Sequence, residues 1–243
     1  MARKPAPKKA AAAANGSRRP RGTGASYVHE QLKNKILHLE LMPGTLLDET
    51  DISKQFGVSR SPVREALIRL SAEGLVQNFR NRTAIVAQFD IASLPAYFDA
   101  MQLLYRLSAR LAAQNPNAAK LELLRRDHEE HEKAIRRRDI RNMVRLNREF
   151  HMAIAEMGGN PFIAGWLSGI LDQGQRLLGL YGMHLPERAV SGEFLKPHRE
   201  IIAAIARKDP DGAEAAGRAD AQHLIDEFME SLANRPGMRV SFK

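Results

Sequence analysis

The chain contains no cysteine. That excludes disulfides, thiol nucleophiles and thiolate metal sites, and leaves histidine and carboxylate as the strong metal ligands. No apolar run approaches the ~20 residues that span a bilayer, and no secretory core follows the first residues, so a cytoplasmic protein with no membrane partner is expected. Neither a glycine-rich phosphate loop nor a nucleophile elbow occurs. Acids are missing from the first 25 positions, where Arg3, Lys4, Lys8, Lys9, Arg18, Arg19 and Arg21 supply most of the net charge of +9. That stretch, rich in Pro, Ala and Gly without apolar periodicity, reads as a disordered basic tail, either an arm on phosphates or a solubilising extension.

What remains is long enough for one small and one medium domain at 243 residues, with 44% hydrophobic residues to fill their cores. From Tyr27 to Leu39 the apolar residues recur at 28, 32, 36 and 39, a helical spacing that the MPG turn at 42–44 ends. The next stretch divides at Gly57 into helices over about 49–56 and 60–73, joined by a turn of about three residues, which is a helix-turn-helix. Ser59 or Ser61 can cap the second helix, and Pro62 falls in its first turn. Val63, Ala66, Leu67 and Leu70 then pack inward, which turns Arg60, Ser61 and Arg64 outward at the end that enters a major groove. The runs VQNF and IVAQF predict a two-stranded wing around Arg80 and Arg82, placed for the backbone or the minor groove. The arginines between 60 and 82 face only Glu65 and Glu73, so a neutral domain presents a basic reading face.

GVSRSPVREALIRLSAEGLV resembles the winged helix-turn-helix signature of the GntR family of bacterial transcription regulators. The resemblance implies base and phosphate contacts from Arg60 and Arg64, a backbone contact from Ser61, and a DNA-facing position for Thr50, where many members carry arginine. The family's wing tip usually contains glycine, whereas Asn81 and Arg82 stand here.

After residue 90 every element reads as helix, punctuated near 115–117, 138–139, 158–161, 184–187 and 209–212, which predicts about six helices and no strand. LNREFHMAIAEMGGNPFI and PHREIIAAIARKDPDGAEAA resemble the ligand-binding (FCD) domain of the family's FadR-like branch, in its shorter, VanR-like form. The fold class expected is therefore mainly α: a winged helix-turn-helix of three helices and a two-stranded wing over 26–90, then an all-α six-helix bundle over 91–234, between tails at 1–25 and 235–243. The resemblance implies a divalent metal, zinc, nickel or manganese, whose ligand positions fall on Asn147, His151, His198 and Asp220, with His223 one turn further on as the alternative to Asp220. Asn147 and His151 are i, i+4 neighbours that can face one ion. Asn replaces the common Asp and Asp replaces the common His, which keeps the ligand charge balanced. The bland alternative is a hydrogen-bonded histidine pair without an ion.

His128-Glu129-Glu130-His131 is one residue short of the zinc-protease spacing and sits among charges, so it reads as a solvated face. Met101, Leu104, Tyr105 and Leu111 read as core, and Trp166 as packing. Where the family often has an arginine and, four residues later, a glutamate, this chain has Met101 and Tyr105; Arg106 and Tyr105 are the candidates for the effector pocket, with Arg110 nearby. Together these features point to a regulator, not an enzyme, that reads a palindromic double-stranded operator as a homodimer and answers to a small effector such as an organic or sugar acid. A metal-dependent hydrolase lacks an evident general base here, and an architectural DNA-coating protein would not need a polarised reading face.

Overall fold

In the computed structural model, residues 23–78, 84–181 and 195–233 are described. Helix α1 (Thr23–Leu37) opens the N-terminal unit, followed by β1 (Leu46–Leu47), α2 (Glu49–Phe56), α3 (Arg60–Ala72), β2 (Val76–Asn78) and β3 (Ala84–Val86). The bundle comprises α4 (Leu94–Gln114), α5 (Ala118–Arg136), α6 (Ile140–Met157), α7 (Pro161–Tyr181), α8 (Lys196–Ala206) and α9 (Pro210–Ala233). Six helices are thus found after residue 90 among the described residues, as the punctuation predicts. The mainly α fold class holds as well.

Three boundaries differ from the sequence reading. Helix α1 begins at Thr23, inside the expected tail, because Ala25 extends the buried row of Val28, Leu32 and Ile36 by one turn. It stops at Leu37, and Leu39 adopts φ 58 beyond it. The wing is part of a three-stranded sheet of order β1-β3-β2, in which Leu46 and Leu47 pair antiparallel with Ile85 and Ala84. A two-residue strand carries no alternation to detect. Residues 1–22, Arg80, Arg82 and the C-terminal tail from 234 lie outside the described residues.

The helix-turn-helix forms for local reasons. Asp48 caps α2, accepting from the backbone N–H groups of Thr50 at 2.8 Å and Asp51 at 3.0 Å. Gly57 ends α2 in the left-handed region at φ 62, a conformation that costs glycine little, and Val58 and Ser53 close the turn. Ser59 occupies the cap position of α3 but its side chain makes no capping bond. The inward row of α3 is as expected: Val63, Ala66, Leu67 and Leu70 join α1, Leu75, Val76 and Val86 in one core.

In the bundle, α4 and α9 lie side by side. Gly217 permits this approach, since a Cβ there would stand 3.0 Å from the Tyr105 carbonyl oxygen. One turn later α9 delivers Asp220 to the bundle interior. On α6, Met143, Leu146, Phe150, Ile154 and Met157 recur at helical spacing and carry His151 inside with them.

Candidate functional site

Two places on the molecule carry candidate functional groups. The first is the N-terminal half of α3, where Arg60, Ser61 and Arg64 are exposed while Val63 and Ala66 anchor the opposite side. Thr50 is half-buried at the start of α2. Arg64 is engaged on the protein itself, its Nε donating to both oxygens of Glu49 at 2.8 and 2.9 Å. A phosphate would have to displace that carboxylate. Ile68, one turn beyond Arg64, is exposed on the same helix.

The second place is the interior of the bundle. His151 of α6, His198 of α8 and Asp220 of α9 are all buried, and their ligating atoms lie within 4.8 Å of one another. His151 Nε2 is 3.1 Å from Asp220 Oδ2, and His198 Nε2 is 3.3 Å from Asp220 Oδ1. Phe150 stacks on the His198 ring with centroids 3.9 Å apart, and Tyr105 stacks on His151 at 3.8 Å. Two aromatic rings therefore fix both imidazoles. Tyr105 also shares a side-chain hydrogen bond with Asn147, which brings that residue to the edge of the centre. Burial, and then the negative charge of Asp220, push the Tyr105 hydroxyl well above its ordinary range, so it stays protonated.

Burial alone would raise the Asp220 pKa, but the two histidines outweigh it and keep the carboxylate ionised. Burial lowers His151, despite Asp220, which favours the neutral ring. An ionised carboxylate in a dry interior is costly until a positive charge accompanies it, either a proton on an imidazole or a cation. The donor set fits the latter. Two imidazoles and one carboxylate with ligating atoms within 4.8 Å of one another make a mixed N/O set for one ion, each histidine meeting a different oxygen of Asp220. His198 Nδ1, on the far side of its ring from Asp220, has no hydrogen-bond partner among the described residues. His223 is half-buried and falls outside the triad, so of the two alternatives on α9 only Asp220 joins the histidines.

Several expectations are corrected here. His128 and His131 are not a solvated face: they are 6% and 1% exposed, and their rings lie 5.9 and 5.4 Å from that of His198. The two are i, i+3 on α5 and turn together into the bundle, while Glu129, Glu130 and Lys133 take the water. Arg106, named above with Tyr105 for the effector pocket, is half-buried on α4. It pairs with Glu214 at 2.7 Å, and Arg110 pairs with Asp211 at 2.5 Å and Glu214 at 3.1 Å, so α9 holds both guanidinium groups along the α4/α9 seam. Trp166 is 63% exposed, not packed.

The buried histidines make a prediction about pH. Burial first, and repulsion from His198 second, lower His128 from an ordinary 6.5 to about 4. Between those values the unfolded chain takes up a proton that the folded chain refuses, so stability falls as pH drops from about 6.5 toward 4. His128→Gln should reduce that slope by ~1.4 kcal/mol per pH unit in thermal unfolding of chelated protein. An unaltered slope would contradict the assignment.

Comparison with known proteins gives two family matches: "Bacterial regulatory proteins, gntR family" over residues 25–86 and "FCD domain" over residues 96–223. An HTH-type transcriptional regulator in an unstable DNA locus of Streptomyces ambofaciens is 29% identical over 88% of this chain and 89% of its own length. The HTH-type transcriptional repressor RspR of Escherichia coli is 27% identical over 84% of this chain and 87% of its own. Among solved structures, E. coli McbR/YncC superposes with a TM-score of 0.74 at 22% identity, covering 86% of this chain and 98% of that one. This likeness bears on the fold. No helix among the described residues is long and apolar enough to cross a membrane.

Proposed function

We propose, from the premise that this chain belongs to the gntR family of bacterial regulatory proteins and carries its FCD domain, that a small anionic metabolite docks at a divalent cation in the bundle and thereby changes operator affinity. The activity of the matched families and relatives is transcription regulation by DNA binding, not catalysis. The observation that carries this is the buried triad His151, His198 and Asp220, whose ligating atoms lie within 4.8 Å of one another.

In this reading Asp220, His151 and His198 hold the ion, Asn147 stands beside it, and zinc, nickel or manganese suits the mixed N/O set. The bound cation would supply the positive charge on which a carboxylate docks. That task falls to it because Arg106 and Arg110 are already paired with acids of α9. Tyr105 contributes a neutral hydroxyl and, by stacking, keeps the His151 ring in place. An organic or sugar acid is the ligand class this arrangement fits. Elemental analysis should find close to one metal per chain, and adding the metal to chelated protein should raise its Tm. Protein with no metal and no response to any divalent ion would sink the reading.

A palindromic operator needs two reading helices about one helical turn apart, so the working unit is a two-fold dimer in the cytoplasm. Leu103 on α4 and Phe162 and Trp166 on α7 support this, since they are 59%, 70% and 63% exposed on neighbouring helices of the bundle. Trp166→Glu should shift sedimentation toward monomer. A dimer of unchanged strength would contradict the assignment of that face. Arg60, Ser61, Arg64 and Thr50 are the described residues proposed to meet DNA. Arg80 and Arg82 would add wing contacts, and the basic tail would add phosphate contacts.

A further inference from the structure

Helix α7 carries three successive polar groups that reach across to the DNA-binding unit. Asp172 meets Lys33 of α1, Oδ2 to Nζ at 2.6 Å. Gln173 Nε2 donates to the Gly74 carbonyl just past α3 at 3.2 Å. Arg176, 1% exposed, donates to the Ala87 carbonyl where the chain leaves β3, and to Gln173 Oε1 at 2.8 Å. Residues 172, 173 and 176 fall within little more than one helical turn, so one short ridge grips both the exit of α3 and the exit of the sheet.

The charges continue on both sides of that ridge. Lys33 Nζ also donates to Glu73 Oε2 at 2.9 Å, and Glu73 Oε1 lies 2.6 Å from His29 Nε2. Glu73 is the C-terminal cap of α3 itself. In the other direction Arg148 of α6 donates to Asp172 Oδ1 at 2.9 Å and to Ser168 Oγ at 3.1 Å. Arg148 follows Asn147 directly and precedes His151 by three residues, so the inner end of the chain lies on the helix that carries His151 and the outer end is the reading helix. Asp172 is 3% exposed, so its carboxylate is shielded from water and relies on its two cationic partners. Burial opposes the charge on Lys33, and the two carboxylates more than restore it.

We propose that the ion chain Arg148–Asp172–Lys33–Glu73 sets the angle of α3 against the bundle, with Lys33 and Asp172 as positioning residues for DNA reading. Helix α3 has 13 residues, about 20 Å at ~1.5 Å per residue, and it is held at its C-terminal end. A tilt of roughly 5° at Glu73 therefore displaces Arg60 by nearly 2 Å, enough to misplace a base contact. That the chain also delivers a movement of α6 to α3 rests on the ligand-site reading given above.

The test uses the full-length protein with Lys33→Met, Lys33→Arg and Asp172→Asn. In hydrogen exchange, Asp172→Asn should speed exchange at least tenfold in α1 and in the last turn of α3 while leaving α8 and α9 unchanged; unchanged α1 and α3 would overturn the proposal whatever the ligand site does. A variant that was merely less stable would bind all duplexes proportionally more weakly. Loss of positioning should instead erode discrimination, at least fivefold, between a duplex selected from random sequence and the same duplex with one base pair added between half-sites. Lys33→Arg should restore that discrimination, and an equal loss on both duplexes, or no rescue, would overturn the proposal. Zinc added to chelated wild type should alter exchange in the last turn of α3, and should not do so in Asp172→Asn. A wild type that ignores zinc would remove the metal reading alone, and exchange and spacing would still decide the ion chain.

Discussion

Arg60→Ala is expected to weaken binding to the selected operator by about 1–3 kcal/mol, roughly 5- to 150-fold, and to relax base preference at one position in each half-site. The magnitude follows from a bidentate guanidinium–guanine contact at the N-terminal end of α3, where Arg60 is exposed and the anchoring residues Val63 and Ala66 on the opposite side are inaccessible. Affinity for a scrambled duplex should fall much less, because it depends on phosphates. Arg64→Ala should cost less than Arg60→Ala, since in the free protein Arg64 is bound to Glu49 and that ion pair must be given up on DNA. Quantitative binding to a set of single-base operator variants checks both. Equal losses on operator and scrambled DNA would reassign Arg60 to a phosphate.

Asp220→Asn is expected to reduce affinity for a divalent metal by about 100-fold or more, at or beyond the upper end of what outer-shell ligand supports contribute. The side chain keeps its shape and loses its charge, so a cation there would meet an amide in place of a carboxylate beside the two imidazoles. The chelated variant should unfold close to wild type, because removing an ionised carboxylate from a dry site offsets the loss of its histidine contacts. Asp220→His should recover binding, since imidazole is an equally good ligand from the same turn of α9. Metal titration calorimetry on the three proteins decides it: equal affinities would place the ion elsewhere, or nowhere.

Much of this was legible in the sequence where a local rule applied. The span of α2, the inward row of α3 and the placing of Asp220 with His151 and His198 followed from capping, helical period and the family resemblance. What was missed depended on the partner across a gap. His128 and His131 sit among charged neighbours, and only the packing of α5 on α6 and α8 shows that their shared face is the dry one. The Arg106–Glu214 pair likewise joins residues 108 positions apart. The Asp172–Lys33 contact joins residues 139 positions apart in two domains, and neither residue stands out in its own helix. The strand Leu46–Leu47 is defined by pairing alone.

If the bundle's ligand centre controls specific DNA binding, loading it with metal changes operator affinity. Fluorescence anisotropy of a selected operator and its scrambled counterpart would be followed in wild type and Asp220→Asn, chelated and then reloaded with metal, at one fixed salt concentration. The expected result is a gap of at least ~10³ between the two duplexes, and an operator affinity that changes with metal in the wild type and does not in the variant. Operator affinity identical in every metal state of both proteins would contradict it.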